Sequence, residues 1–451
     1  MGGAAHMRII IIASLAGLLF GFDTAVIAGV TGALRDVFIL TPAGLGAAVS
    51  SALWGTLIGA LALGRPGDRF GSRDMLRIIG LLYVASALGC ALSGSLREFI
   101  IWRFLAGIAI GGSSVLAPVY LAEIAQAERR GALVGMFQVN IVVGILSAYG
   151  SNFCVARFLS GTDVWRYKLA MAALPALLFS GLMFTIPQSP RWLVLKGRLA
   201  QAEASLRRLG STDPQVQMAE YRAGREDQGG ARQRLSWRAH RAPILLAIGL
   251  ACFNQLSGIN AILYYLGDIF AAAGFSGVSA DAQAVAVGAT NLIATLFGMS
   301  LIDRLGRKKL LLSGAIGMAV ALCGVSLVMA NLAPRGALLL LLIAFIASFA
   351  LSQGAVIWVY LSEIFPTAVR ARGQSLGSAA HWLLNALISG IFPVIAAHSE
   401  AAPFVFFSAM MLLQFIIVWC LFPETRGVPL EGIAALLQRR RSVSADTQRS
   451  D

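Results

Sequence analysis

Residues 64–73 read GRPGDRFGSR, and residues 298–309 read GMSLIDRLGRKK. Each Asp-Arg-x-Gly element closes a long apolar run, and the two aspartates, Asp68 and Asp303, lie 235 positions apart. Two further landmarks repeat in the same order at nearly that offset. Glu123 and Arg130, seven apart, recur as Glu363 and Arg370, again seven apart. Pro187-Gln-Ser-Pro-Arg191 has a looser echo in Pro423-Glu-Thr-Arg426. Three ordered landmarks at one spacing mean that the chain is built from two related halves. In an apolar chain such halves form two helix bundles with a substrate path between them near the midplane.

The apolar runs name the solvent. Of the 451 residues, 57% are hydrophobic and 13% charged, against roughly 25% charged in an ordinary soluble domain. At about 20 residues per crossing, twelve helices are expected near 9–31, 44–64, 75–94, 99–122, 132–156, 166–187, 243–267, 281–302, 309–331, 337–362, 373–397 and 403–422. The run from Ile9 to Val30 is too long for a cleavable leader and reads as the first span. The fold class is therefore an all-α membrane protein: twelve helices in two pseudo-symmetric six-helix bundles. The expected organisation is an N-terminal bundle at 1–187, a cytoplasmic helical linker at 188–242, a C-terminal bundle at 243–422 and a cytoplasmic tail at 423–451. Within the linker, PRWLVL and AQAEASLRRL suggest short cytoplasmic helices, and GREDQGGARQR a flexible connection.

The net charge of +14 would suggest nucleic acid on a soluble chain, but its distribution excludes that partner. With the N-terminus in the cytoplasm, 29 Lys and Arg and 15 Asp and Glu fall on the cytoplasmic side, and 7 of each fall elsewhere. The whole excess sits on one face, the signature of loops retained inside, and it places both termini in the cytoplasm. The five cysteines are scattered singly through apolar runs, without metal-site or redox spacing. No nucleophile–base constellation, metal cluster or phosphate loop occurs, so neither an enzyme nor a cofactor is expected.

Charges inside spans are costly, about 2.5–3.5 kcal/mol each at a helix centre, so Asp23 and Arg103 stand out. The first helix runs outward and the fourth inward, which lets the two meet at similar depth, as a functional pair or as a static tie. On the cytoplasmic surface Asp68, Arg69, Glu123, Arg130, Asp303, Arg304, Arg307, Glu363 and Arg370 can pair between neighbouring helices while that side is closed and separate when it opens. The alternative for any one of them is a solvated loop charge that only sets topology.

These residues resemble the sugar porter family of the major facilitator superfamily. FGFDTAVIAG at 20–29, DRFGSR at 68–73, the run from Arg103 through Pro118 and Tyr120 to Glu123, and PQSPRWL at 187–193 carry the likeness in the first half. FNQLSGINAILYY at 253–265, DRLGRKK at 303–309, SEIFPTAVRARG at 362–373 and PETRG at 423–427 carry it in the second. The resemblance implies alternating access, a monosaccharide substrate, and either uniport or proton symport, in a plasma membrane of bacterial inner-membrane type, with a monomer as the working unit. It implies sugar contacts from Gln138, Asn254, Gln255, Asn260, Asn291 and Trp358, with His381 and Trp382 beside them, and an outer gate at Tyr264 and Tyr265. It adds Arg73, Arg191, Glu424 and Arg426 to the cytoplasmic gate. It also makes Asp23, facing Arg103, the proton-coupling acid.

The chemistry is consistent with those roles. Amides both donate to and accept from hydroxyls, and an indole lies against the C–H face of a sugar ring. A lone amide in a span also serves as an interhelical hydrogen bond, and paired tyrosines as an interfacial belt. Gly258, between Gln255 and Asn260, allows local unwinding. Four departures from the family pattern are expected to matter. Gln188 replaces an acid, and Ser72 stands where a second basic residue precedes Arg73; both weaken closure of the inner gate. Ala355 after Gly354 replaces a proline and removes an expected cause of a bend. His381 replaces an amide, and either touches sugar or bonds a neighbouring helix. Three rival readings stay open: an uncoupled facilitator, which Asp23 opposes; a proton-linked drug or metabolite transporter, which the amides oppose; and a non-transporting sensor, which needs a signalling extension where only 28 residues follow Pro423.

Overall fold

The computed structural model describes residues 2–124, 130–211, 213–228, 235–365 and 369–426, and among these there is no strand. The first six membrane helices are α1 (Gly2–Val26), α2 (Pro42–Ala62), α3 (Ser72–Leu92), α4 (Leu96–Ile124), α5 (Arg130–Phe158) and a divided α6 (Val164–Ala170 with Ala173–Met183). The second six are a divided α7 (Trp237–Leu256, Ile259–Tyr264, Leu266–Ala272), α8 (Gly277–Leu305), α9 (Arg307–Met329), α10 (Leu338–Phe349 with Ala355–Glu363), α11 (Arg370–His398) and α12 (Ala402–Leu421). Eleven of them are long and apolar enough to cross a membrane; α6 is the twelfth.

Each interruption has a local cause. A continuous sixth helix was expected at 166–187, but α6 breaks at Met171–Ala172. Pro175 lacks an N–H and its ring crowds the carbonyl four residues back, at Met171. In α7 the chain turns at Gly258, whose φ of +79° falls in the left-handed region. A Cβ there would lie 2.3 Å from the ring of Phe407, so glycine is required twice over. In α10 the expected proline is missing, and Ala350–Gly354 form one π-helical turn there, a local irregularity found frequently at functional sites.

Between α6 and α7, short helices at Pro190–Leu195, Leu199–Arg208 and Pro214–Gln228 pack Trp192, Leu193, Val194, Ala202, Leu206 and Met218 into a small cluster. Ser189 caps the first of them, accepting from Trp192 N at 3.2 Å. Of GREDQGGARQR, expected to be a flexible connection, GREDQ instead continues the third of these helices to Gln228, and GGARQR lies outside the described residues.

The repeat read from sequence has a physical counterpart. Gly71 (φ +94°) and Gly306 (φ +90°) precede α3 and α9 in the same unusual conformation. A Cβ at Gly71 would meet the Gln188 amide, and one at Gly306 the Glu424 carboxylate. These side chains accept from the first turns of the following helices: Gln188 Oε1 from Arg73 N at 3.3 Å, Glu424 from Arg307 N at 2.9 Å and Lys308 N at 3.1 Å. Tyr120 donates to Pro187 O at 2.6 Å, and Tyr360 to Pro423 O at 3.1 Å. The landmarks repeat because each half uses them to fasten the end of its last helix to the turn before its third.

The two bundles meet on the face away from these loops. Gly46 of α2 lies so close to α11 that a Cβ would sit 2.0 Å from Gly390 O, and Tyr149 of α5 donates to Leu263 O of α7 at 3.0 Å. On the face that carries the basic loops they separate around a vestibule of about 440 Å³.

Candidate functional site

At mid-depth the vestibule narrows into a cavity of about 130 Å³. Gln138 of α5, Asn254 and Asn260 of α7, Asn291 of α8, Trp358 of α10 and both His381 and Trp382 of α11 line it. Seven of the eight contact residues expected from sequence thus line one cavity. Gln255 does not line it and is 2% exposed. It sits behind as a hub: its Nε2 donates to Asn254 Oδ1 at 3.0 Å and lies 3.1 Å from His381 Nδ1, while its Oε1 accepts from Asn260 Nδ2 at 2.9 Å. The turn at Gly258 brings Asn260 back over Gln255 in this way.

His381 thus has the interhelical bond that was one of its two expected roles. It lines the cavity and it is bonded to α7, and accepting from an amide N–H requires a neutral ring nitrogen. Its ring also packs 5.3 Å from Trp358 and 5.1 Å from Trp382, centroid to centroid. The apolar floor comes from Phe20 of α1, 5.6 Å from Trp382. Two lining hydroxyls were missed from sequence, Thr24 and Thr295. Thr24 follows Asp23 directly, and Thr295 lies one turn past Asn291, the spacing that puts both on one helix face.

Tyr264 and Tyr265 part company. Tyr264 closes the cavity on the side away from the vestibule and accepts from Asn385 Nδ2 at 3.3 Å. Tyr265 points away from the cavity, stacks on Phe392 and donates to Ser389 O at 2.9 Å. It serves the packing of α7 on α11 and does not line the site.

Asp23 and Arg103 meet as their depths suggested, with Arg103 Nη1 2.9 Å from Asp23 Oδ2 and side chains 3% and 7% exposed. Arg103 Nε has no partner among the described residues. A void of about 10 Å³ is lined by Arg103, Thr24 and Tyr264. The ion pair is thus adjacent to the cavity through Thr24 and Tyr264 without lining it.

On the basic face, the charges group by bundle. In the second half Arg307 grips Glu363 with two bonds, 2.7 and 3.2 Å, and Asp303 at 3.0 Å. Thr425 donates to the same Glu363 at 2.6 Å, and Arg426 to Arg304 O. Arg370 donates to Phe365 O at 3.4 Å. In the first half the organising acid is Asp74, which sequence reading missed. It holds Arg73 at 2.8 Å and Arg77 at 2.9 Å and accepts from Gln188. Asp68, Arg69 and Arg191 form no ion pair with a described residue, although Asp68 O accepts from Trp192. Glu123 Oε2 is buried without a hydrogen-bond partner among the described residues, and the side chain of Arg130 lies outside them. No ion pair on this face joins the two bundles among the described residues.

Two helix bundles of common design around a polar midplane cavity define a membrane carrier of the major facilitator fold. The chain belongs to the sugar transporter family: the family model described as "Sugar (and other) transporter" matches residues 9–437. It is 36% identical to the D-xylose-proton symporter of Escherichia coli strain K12, over 95% of each chain. It is 33% identical to the glucose facilitated diffusion protein of Zymomonas mobilis, covering 96% of this chain and 98% of that one. Among solved structures, the inward open conformation of the xylose transporter XylE from E. coli superposes with a TM-score of 0.86 at 35% identity, covering 96% of this chain and 99% of that one.

Proposed function

We propose that this chain is a proton-coupled symporter for a hexose or pentose, with both termini and the basic face in the cytoplasm. The observation that carries this reading is the buried Asp23–Arg103 pair set one residue from the cavity wall at Thr24. A single charge at that depth costs several kcal/mol. An acid kept there beside a binding cavity is suited to exchange a proton as the cavity changes sides. The amides of α5, α7 and α8 supply donors and acceptors for hydroxyls, and Trp358, 39% exposed, offers an apolar face.

In this account the conformer described is inward-facing. Protonation of Asp23 from outside removes the charge that holds Arg103, and the first bundle repacks around bound sugar. Deprotonation toward the cytoplasm restores the pair and resets the carrier. Glu363, Arg307 and the Asp74 cluster keep each bundle rigid as the bundles rock against each other. The facilitator reading is favoured by the likeness to a glucose facilitated diffusion protein, and the same assay separates the two. Protein in liposomes is offered a panel of hexoses and pentoses with and without an inward proton gradient. The symporter accumulates its sugar only with the gradient, whereas a facilitator merely equilibrates it.

A further inference from the structure

The face opposite the vestibule holds a second buried ion pair. Lys168, on the first segment of α6, places Nζ 2.7 Å from Asp281 Oδ2 near the start of α8, and both side chains are under a tenth exposed. The pair crosses from one bundle to the other. The same ammonium donates to Gly29 O at 2.9 Å. Gly29 ends the 3-10 turn Ile27–Gly29 that terminates α1, six residues past Asp23. That turn is held again by Asn152 of α5, which donates to Val26 O at 3.1 Å. On its other side Ala28 O abuts α7, where a Cβ on Gly267 would lie 2.6 Å away. A second inter-bundle pair, Arg35 with Asp268 at 2.9 Å, lies further out and is more exposed, where ion pairs contribute little.

We infer that Lys168 and Asp281 form a charge latch that holds this face closed and ties the end of the Asp23 helix to the opposite bundle. Separating α6 from α8 pulls the two charges apart and lets water reach them. The partnership therefore acts only in the closed conformation. Removing one partner leaves the other charged, buried and unpaired while this face is closed, yet hydrated once it opens. The penalty falls on one conformation alone, which is the condition for shifting a population. Replacing both partners by apolar residues of similar size removes that penalty, because a buried ion pair and a well-packed apolar pair are of comparable stability.

The test is accessibility. Ser50 of α2 is 5% exposed and faces Gly390 across the closed interface. In protein whose five native cysteines are replaced, Ser50→Cys is labelled in detergent with a hydrophilic maleimide. Asp281→Asn and Lys168→Met should each speed labelling on the order of 100-fold, and Lys168→Met/Asp281→Leu should return it near the parent rate. Asp281→Asn keeps an acceptor oxygen against the ammonium, so it is the single variant best able to fold. Unchanged labelling in the single variants overturns the latch, and so does a double variant that labels as fast as they do. The readout needs neither sugar nor a proton gradient, so it stands or falls separately from the transport assignment.

Discussion

Arginine at position 72 should supply the first bundle with the ion pair that its twin already has. Gly71 and Gly306 are equivalent in conformation and in contacts, so Ser72, the residue after the first, corresponds to Arg307, the residue after the second. Arg307 grips Glu363; the counterpart of Glu363 is Glu123, whose Oε2 is buried without a donor among the described residues. The serine thus accounts for the one carboxylate oxygen of Glu123 left without a donor. An unsatisfied buried acceptor costs roughly 1–3 kcal/mol, and ordering an arginine side chain takes back up to about 2 kcal/mol. Ser72→Arg should therefore stabilise by about 1 kcal/mol, a rise in melting temperature of about 2–4 °C for a bundle of this size. The decisive assay is a double-mutant cycle with Glu123→Gln, followed by thermal unfolding in detergent. Glu123→Gln should be neutral or stabilising in the parent and destabilising beside Ser72→Arg, with a coupling of about 1–3 kcal/mol. Additive effects would show that the two halves are not equivalent at this turn, and the reasoning from pseudo-symmetry would fail with them.

Three further outcomes follow from the site. Alanine at Gln138, Gln255, Asn260 or Trp358 should each weaken sugar binding roughly 5- to 150-fold by calorimetry, and parent affinity in three of the four would move the site elsewhere. His381→Gln keeps a partner for Gln255 but alters what faces the cavity, so the ranking of sugars or the pH profile of binding should change; if both stay as they were, His381 is a packing residue. Gly258→Ala puts a Cβ against Phe407 in a left-handed turn and should cost upward of about 2 kcal/mol in unfolding experiments, whereas near-parent stability would mean that the turn is not fixed by glycine.

Much of this was legible before any coordinates. Span lengths, the repeat and the depth of Asp23 and Arg103 depend on apolar content and spacing, which a sequence displays directly. The amides were gathered through the resemblance to the sugar porter pattern, which segments such as FNQLSGINAILYY at 253–265 carry in the sequence itself. What escaped depends on partners brought together by packing. Lys168 and Asp281 fall at the very edges of their expected spans, where a charge passes for an interfacial anchor, and only the approach of α6 to α8 buries them. Asp74 follows the recognised DRFGSR segment, yet its role comes from Arg77 one turn later and from Gln188, which lies 114 residues away. The break in α6 was available from Pro175, whereas the π-helical turn at Ala350–Gly354 has no proline to announce it. Gln255 was expected among the sugar contacts from the family resemblance, which carries a residue type and a position but not whether the side chain faces the cavity or braces it from behind.

The central claim, that Asp23 couples sugar movement to protons, rests most directly on one paired measurement. Asp23→Asn holds that position permanently uncharged, so sugar binding and sugar–sugar counterflow should persist in liposomes. Accumulation driven by external acid should vanish in the same preparation. Removing Arg103 should do more harm, because it leaves a buried acid without its partner. If Asp23→Asn liposomes still concentrate sugar against its gradient when acidified outside, Asp23 is not the coupling acid and the account is contradicted.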